Sequence, residues 1–342
     1  WRSMIEVLQP GLLTTVQDTG RWGYQAFGMP VAGAMDRYAY RAANLLVGNH
    51  SEAAALEMTL KGGQFRFAAD CYFAICGADM QATLNGQPVA NWACSFATAG
   101  SKLSFEFAVT GCRTYLAIQG GIDVPVVLGS RSTYVRAAVG GYQGRTLKAG
   151  DILPAGQDAK PAHIRSLTTQ FVPPVLNHIQ LRVLPGPQDD YFTEAGLATF
   201  FSQTYTITAE ADRMGYRLDG PAIEHRDKAD IISDALCQGA IQVPGHGRPI
   251  IMMADRQTTG GYAKLGAVIG SDLRLLGQAK PGDEVSFVRC SVSEAEAALA
   301  AEKDAYAAME AALAQPLPSK GARNFTVTVN SQVFKVQIEE VE

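Results

Sequence analysis

The sequence predicts a mainly β protein with short helices, arranged as two strand-rich blocks, and three observations lead there. Its 34 glycines and 16 prolines fall between short alternating stretches rather than in one linker, the pattern of many strands joined by tight turns. Its 342 residues, 47% of them hydrophobic, suffice for about two domains of roughly 150 residues, each with a sizeable core. A polar, proline-bearing stretch at 154–174 divides the blocks.

Trp1-Arg2-Ser3 ahead of Met4 reads as an appended leader and is set aside. In the first block, expected over 4–160, residues 5–8 open a strand that Pro10-Gly11 turns. Strand-like stretches follow at 62–67, 72–76, 80–84, 103–107 and 114–118. Asn85-Gly86 marks a hairpin. A helix is expected over 37–47, capped by Asp36, striped with Tyr38, Ala42, Leu45 and Leu46, and ended by Gly48-Asn49. The second block, 175–290, repeats the style with strands at 179–184, 205–208, 241–243, 250–253 and 285–288 and a short helix near 191–201. Asp18-Thr-Gly-Arg21-Trp-Gly23-Tyr24 is faintly echoed by Asp212-Arg213-Met-Gly215-Tyr216, which chance or a duplicated barrel unit could equally produce.

The tail differs. Ser293 and Glu296 make a capping box before an alanine-rich helix over 293–315 that Pro316 and Pro318 stop. Residues 325–342 then read as a hairpin around Asn330-Ser331. An isolated hairpin is marginal in water, so it either docks on the body or begins a further domain.

Composition narrows the function. Twenty-nine Lys+Arg against 33 Asp+Glu give a net charge of −4, which argues against a nucleic-acid surface or membrane adhesion. No apolar run approaches the ~20 residues of a membrane span, and no signal peptide opens the chain, so a cytoplasmic protein is expected. The six cysteines contain no C-x-x-C and read as reduced, buried thiols, and the five histidines lack zinc-site spacing. P-loop and G-x-S-x-G signatures are absent.

Polar residues in glycine-rich turns remain. Asp18 and Arg21 could fix each other by a bidentate pair, or merely pin a turn. Gln188 and Asp189 follow a strand, where Asp189 could cap a helix instead of meeting substrate. Arg213 and Arg217 could bind a carboxylate or carbonyl oxygen, or form surface ion pairs. The densest set is Gln242 with Asp255, Gln257, Thr258, Thr259, Tyr262 and Lys264. There amides, hydroxyls and a cation converge beside Gly260-Gly261, more polarity than a structural loop needs. The catalytic candidates are Lys264, polarising a carbonyl or steadying a ureido oxygen, and Arg213 and Arg217, stabilising developing negative charge. Asp18, Asp36 and Asp255 are the weak candidates for a base. Substrate contacts are expected from Asp18, Arg21, Asp36, Gln188, Gln242, Gln257, Thr258, Thr259 and Tyr262.

Gln17-Asp18-x-Gly20-Arg21 through Gly33-Ala34-Met35-Asp36, then Ala43–Asn49 and Leu56-Glu57, resemble the opening of the allophanate-hydrolase-subunit-2 family. That family includes the C-type (KipA-like) component of 5-oxoprolinase and part of the carboxyltransferase domain of urea carboxylase. The resemblance continues through Gly186-Pro187-Gln188, Met214–Leu218, Gln242-Val243-Pro244, Gln257–Lys264, Gly277-Gln278 and Pro281-Gly282-Asp283, covering about 4–290 in order. It implies two cyclophilin-like β-barrel domains and a KipI-like (subunit 1/B) partner. It also implies carboxyl transfer from carboxybiotin, with a biotin carboxyl carrier and biotin carboxylase, to a small amide, urea-like or lactam substrate. The alternatives it leaves are the C-type component of an ATP-dependent 5-oxoprolinase or a KipA-like regulatory binding protein. Gly245-His246-Gly247-Arg248 departs from the family as an unusually basic turn. Residues 325–342 resemble the entry to a biotinyl carrier domain, yet the chain stops before an Ala-Met-Lys-Met-type site, so a missing carrier domain is expected.

Overall fold

The computed structural model describes residues 4–156 and 163–314, and the backbone of two further strands over 323–338 without their turn. Trp1–Ser3, the prolines at 316 and 318, the linker to 322 and Asn330-Ser331 lie outside the described residues. The chain is mainly β with four α-helices among them.

Twelve strands belong to the first block: β1 (Met4–Gln9), β2 (Leu13–Gln17), β3 (Ala55–Thr59), β4 (Gln64–Phe67), β5 (Cys71–Asp79), β6 (Thr83–Leu84), β7 (Gln87–Pro88), β8 (Ala93–Ala97), β9 (Lys102–Ser104), β10 (Thr110–Ile118), β11 (Ile152–Pro154) and β12 (Arg165–Ser166). They form two six-stranded sheets, ordered β11-β1-β4-β9-β6-β7 and β12-β8-β5-β10-β3-β2. Phe65, Phe67, Phe73, Ile75, Leu116 and Ile118 meet in one core. The alternate residues Ala74, Cys76, Tyr115 and Ala117 point the other way and are buried with α1 (Arg37–Leu46). Strands covered on both faces lose the apolar–polar alternation that betrays half-buried ones, which is why β3 escapes the sequence reading.

Local signals hold where the chemistry is local. Asp36 Oδ1 accepts from the Tyr38 and Ala39 amides, and Gly48 is left-handed at φ 73° just after α1. The Asn85-Gly86 turn takes φ 52° and 81°, the left-handed pair a two-residue hairpin needs.

The second block closes into a seven-stranded barrel. Its strands are β13 (His178–Pro185), β14 (Tyr205–Ile207), β15 (Gly215–Asp219), β17 (Ala240–Gln242), β18 (Ile250–Met252), β20 (Lys264–Val268) and β21 (Glu284–Arg289), in the order β13-β20-β17-β18-β15-β14-β21. Its first and last strands pair in parallel. Two more strands, β16 (Asp230–Ala235) and β19 (Thr259–Tyr262), pair only with each other as an arm over the barrel's outer face. The helix near 191–201 is α2 (Glu194–Ser202), which starts later because Thr193 Oγ1 caps it by accepting from the Gly196 amide at 2.9 Å. A short helix, α3 (Leu273–Gln278), precedes β21.

The long helix α4 (Val292–Ala314) is capped two residues earlier than the sequence suggests. Glu294 accepts from the Ser291 amide at 2.7 Å and Ser291 Oγ accepts from the Glu294 amide at 3.3 Å, because Ser291 is the last residue outside helical geometry. Tyr306 and Met309 bury it against α1, with Arg41 stacked over the Tyr306 ring at 4.7 Å. The strands β22 (Arg323–Val329) and β23 (Gln332–Ile338) pair as the expected antiparallel hairpin. The 18–24 and 212–216 segments are not structural equivalents: the first follows a strand, the second leads into one.

All six cysteines are free thiols, and only Cys237 is exposed. Among the described residues no helix is long and apolar enough to cross a membrane, and no group of His, Cys, Asp or Glu is placed to hold a metal ion.

Candidate functional site

Three places collect the polar residues singled out above. The first is the turn after β2. Asp18 is 7% exposed, and its carboxylate accepts from the Gly20 amide at 2.8 Å and the Ser130 hydroxyl at 2.7 Å, with Ser132 and the Arg131 amide beside them. Arg21 is fully buried but does not form a fork with Asp18. It donates through Nε to the Val127 carbonyl and through Nη2 to the Ser132 carbonyl, each at 2.9 Å. Burial lowers its guanidinium pKa against the pull of Asp18 and Asp255. The two neighbours therefore each tie the turn to the 127–132 loop. Asp18, His50, Glu52 and Arg131 also line an open cleft of ≈ 410 Å³.

The second place is a buried ionic network between the blocks. Arg213 forms a bidentate pair with Asp255 at 2.8 and 3.0 Å, donates to Glu57 at 2.5 Å, and reaches the Gly33 carbonyl at 2.8 Å. Glu57, at 1% exposure, also accepts from the Met35 amide at 2.9 Å and the Tyr115 hydroxyl at 2.7 Å. Arg113 stands 3.8 Å from Glu57 and donates to the Tyr216 hydroxyl at 2.7 Å. Two carboxylates thus face two guanidiniums, as buried charges must. Burial alone would raise the Glu57 carboxyl, but Arg213 and Arg113 outweigh it and hold it below the usual carboxylate range. Burial pushes the Asp255 carboxyl up, against the pull of Arg213. It also pushes the Tyr216 hydroxyl up to about 12. Asp36 joins the same seam: its other oxygen accepts from Gln278 at 2.8 Å, and burial raises its carboxyl. Gln278 in turn accepts from the Cys112 and Arg113 amides.

The third place is the barrel's outer face. Lys264 on β20 pairs with Gln242 on β17, Gln242 with Ile250 on β18, and Ile250 with Arg217 on β15. Their neighbours Leu265, Ile241, Ile251, Tyr216 and Leu218 fill the core, so this row points outwards. It spans about 14 Å at 4.7–4.9 Å per strand. The arm covers one end. Lys264 is 6% exposed, and its ammonium donates to Asp234 on β16 and to the Ala235 carbonyl at 2.9 Å. The Gln188 side chain accepts from the Lys264 amide at 3.2 Å, and Gln242 donates to the Tyr262 carbonyl at 3.3 Å. Gln257, Thr259 and Tyr262 are exposed and Thr258 half-buried. At the row's other end Arg217 is 53% exposed and pairs with Glu210 at 3.2 Å. It lines an open groove of ≈ 410 Å³ with Thr208, Asp219, His246 and Arg248, so the basic turn at 245–248 opens onto this groove.

Lys264, Gln242 and Gln188 therefore meet beneath the arm, whose β19 carries Thr259 and Tyr262, with Gln257 and Thr258 in the loop leading into it and Arg217 on the same barrel face. Arg213, Asp255 and Asp36 sit in the inter-block seam, and Asp18 and Arg21 at a separate turn. Sequence reasoning missed Glu57, Arg113, Asp234 and Gln278 as polar contributors. Glu57 and Gln278 stood inside the motifs Leu56-Glu57 and Gly277-Gln278 with no role assigned, and a glutamate inside Ala55-Leu-Glu-Met signals a buried counter-ion. Asp234 carried no such signal.

A family model described as the carboxyltransferase domain, subdomain A and B, matches residues 27–289. The chain is 40% identical to the C-type component of 5-oxoprolinase from Escherichia coli (strain K12), over 85% of this chain and 93% of that one. It is 35% identical to urea amidolyase of Saccharomyces cerevisiae over 84% of this chain, which spans only 17% of that longer protein. The crystal structure of the Kluyveromyces lactis urea carboxylase superposes with a TM-score of 0.85 at 30% identity, over 99% of this chain and 33% of that one.

Proposed function

Because the chain belongs to the carboxyltransferase-domain family, as the match over 27–289 shows, we propose that it is the subunit-2 (C-type) component of a biotin-dependent carboxyltransferase. It would pass a carboxyl group from carboxybiotin to a small amide, urea-like or lactam acceptor. The observation that carries this reading is the extent of the likeness to urea carboxylase. That likeness in three dimensions runs over 99% of the chain at a TM-score of 0.85, while the sequence alignments with urea amidolyase and with the 5-oxoprolinase component cover 84% and 85% alike. Coverage so complete takes in α4 and the hairpin beyond it. A second reading, the C-type component of a 5-oxoprolinase, is favoured by the 40% identity to such a protein.

The donor set on the barrel face fits a ureido ring bearing a carboxyl group, which needs hydrogen-bond donors at one oxygen and a cation at the other end. Lys264 would supply the cation, Gln188, Gln242 and Gln257 amide groups, and Thr258, Thr259 and Tyr262 hydroxyls. Biotin, when bound, supplies the activated carboxyl group. The chain's own residues orient the acceptor and exclude water under the arm. Asp18 and Asp255 have their oxygens committed to hydrogen bonds and Asp36 caps a helix, so none is a free base. This supports a half-site completed by a KipI-like subunit.

Two outcomes test the reading. The complex isolated with its partner proteins should contain a biotinylated polypeptide, seen on a streptavidin blot. A complex without biotin transfers the argument to the 5-oxoprolinase reading. Co-expression with the KipI-like protein should give a complex on size exclusion, burying at least ~1,000 Å², and should raise acceptor carboxylation from near zero. Full-rate turnover by this chain alone, with free carboxybiotin, would refute the half-site.

A further inference from the structure

Lys264 is the buried cation of the barrel face, and the way its charge is neutralised is unusual. Its side chain is 7% exposed, yet that of its counter-ion, Asp234, is 50% exposed and belongs to the arm rather than to the barrel. A buried ammonium is left without an anion only at considerable cost, so a carboxylate is favoured at this position whenever the arm covers it. Asp234 meets that need from a strand whose residues are exposed almost throughout and whose pairing with β19 slips between Asp230 and Asp234. Its carboxylate also accepts from the Ala235 amide at 2.8 Å, but half of the side chain already faces water and no core residue holds it. The contact that would remain on Lys264, from the Ala235 carbonyl, is neutral.

We propose that the Lys264 ammonium is a carboxylate-binding site, and that Asp234 is its removable counter-ion, displaced when a carboxylate-bearing ligand of the reaction enters under the arm. Asp234 acts through Lys264 and is a positioning residue. The exchange breaks one ion pair and forms another, with no proton or covalent bond transferred. The inference rests on the proposed placement of the site on this barrel face, but not on biotin chemistry.

The test is binding by the full chain, read by calorimetry or by NMR titration, with acetate as the bare carboxylate, 2-pyrrolidone as a lactam without one, and 5-oxoproline as both. Asp234→Asn should bind acetate at least about ten-fold tighter than the unaltered chain, since its ammonium has lost the competing anion. Binding of 2-pyrrolidone should not change. Lys264→Met should abolish acetate binding in either background. If 5-oxoproline binds Asp234→Asn tighter than acetate does, the carboxylate belongs to the acceptor. Equal binding assigns the site to the transferred carboxyl group. Should Asp234→Asn prove poorly folded, Asp234→Ser and the loss of acetate binding in Lys264→Met alone give the same reading. No gain in Asp234→Asn and Asp234→Ser, or acetate binding that survives Lys264→Met, overturns the proposal. Absence of carboxyl transfer alongside normal acetate exchange would instead count against the assigned reaction alone.

Discussion

Arg213→Met should destabilise the folded protein by roughly 3–5 kcal/mol, because it strands two buried carboxylates rather than one contact. Glu57 and Asp255 both take their main counter-charge from this guanidinium, and both lie at least nine-tenths out of solvent. Arg113, at 3.8 Å from Glu57, cannot replace it. The measurement is urea unfolding, with Arg217→Met as the comparison. Arg217 is paired with Glu210 at the surface, and exposed pairs are worth about 0–1 kcal/mol. Equal losses for the two variants would remove the seam's claim to hold the blocks together. Any loss of activity in Arg213→Met must then be read against its folded fraction, since Arg213 lies in the seam with Glu57 and Asp255 and not on the barrel row.

Lys264→Ala should lower turnover of the reconstituted complex by about 10²-fold or more, the scale of one preorganised donor in a transition state at ~3 kcal/mol. Its folding should barely change. The charge left behind is Asp234, whose hydrogen bond to Lys264 holds its carboxyl below the usual range. That carboxylate is already half in water and can hydrate fully. The decisive pair of measurements is the turnover of Lys264→Ala with the partner present and its thermal unfolding midpoint. An active variant removes Lys264 from the chemistry, and an unfolded one shows that the arm is a structural clasp.

The two variants separate what could be read from the sequence from what could not. Asp36 was legible as a cap because the amides it serves are two and three residues away. The Asn85-Gly86 turn was legible because its backbone angles are a property of those two residues. Gln257–Lys264 stood out by polarity alone, but its form did not. The strand that pairs with it lies near 230–235, and a two-stranded arm of Thr-Gly-Gly-Tyr has no periodicity to find. Asp18 and Arg21 misled for the same reason. They are near in sequence, yet Asp18 takes Ser130, 112 residues on, and Arg21 takes Val127, 106 residues on. Spacing reports neighbours along the chain, whereas a buried charge is matched by whichever strand the topology brings past it. β3 hid for a complementary reason: with both faces covered, it lacks the apolar–polar alternation that marks a half-buried strand, so nothing placed Glu57 at the centre of an ionic seam.

Met35, contributed by the loop before α1, is packed among the side chains of the barrel core. The core of the second block is therefore completed by a residue encoded in the first, and the same loop presents its Met35 amide to Glu57 and its Gly33 carbonyl to Arg213. Loosening either block opens a hole in one and frees a charge in the other, so local openings are coupled across the seam. Cooperativity in this molecule does not respect the division that the polar stretch at 154–174 draws along the chain. Amides of α1 and of the barrel should share one protection class in hydrogen exchange, while the arm, with its exposed strands, opens on its own.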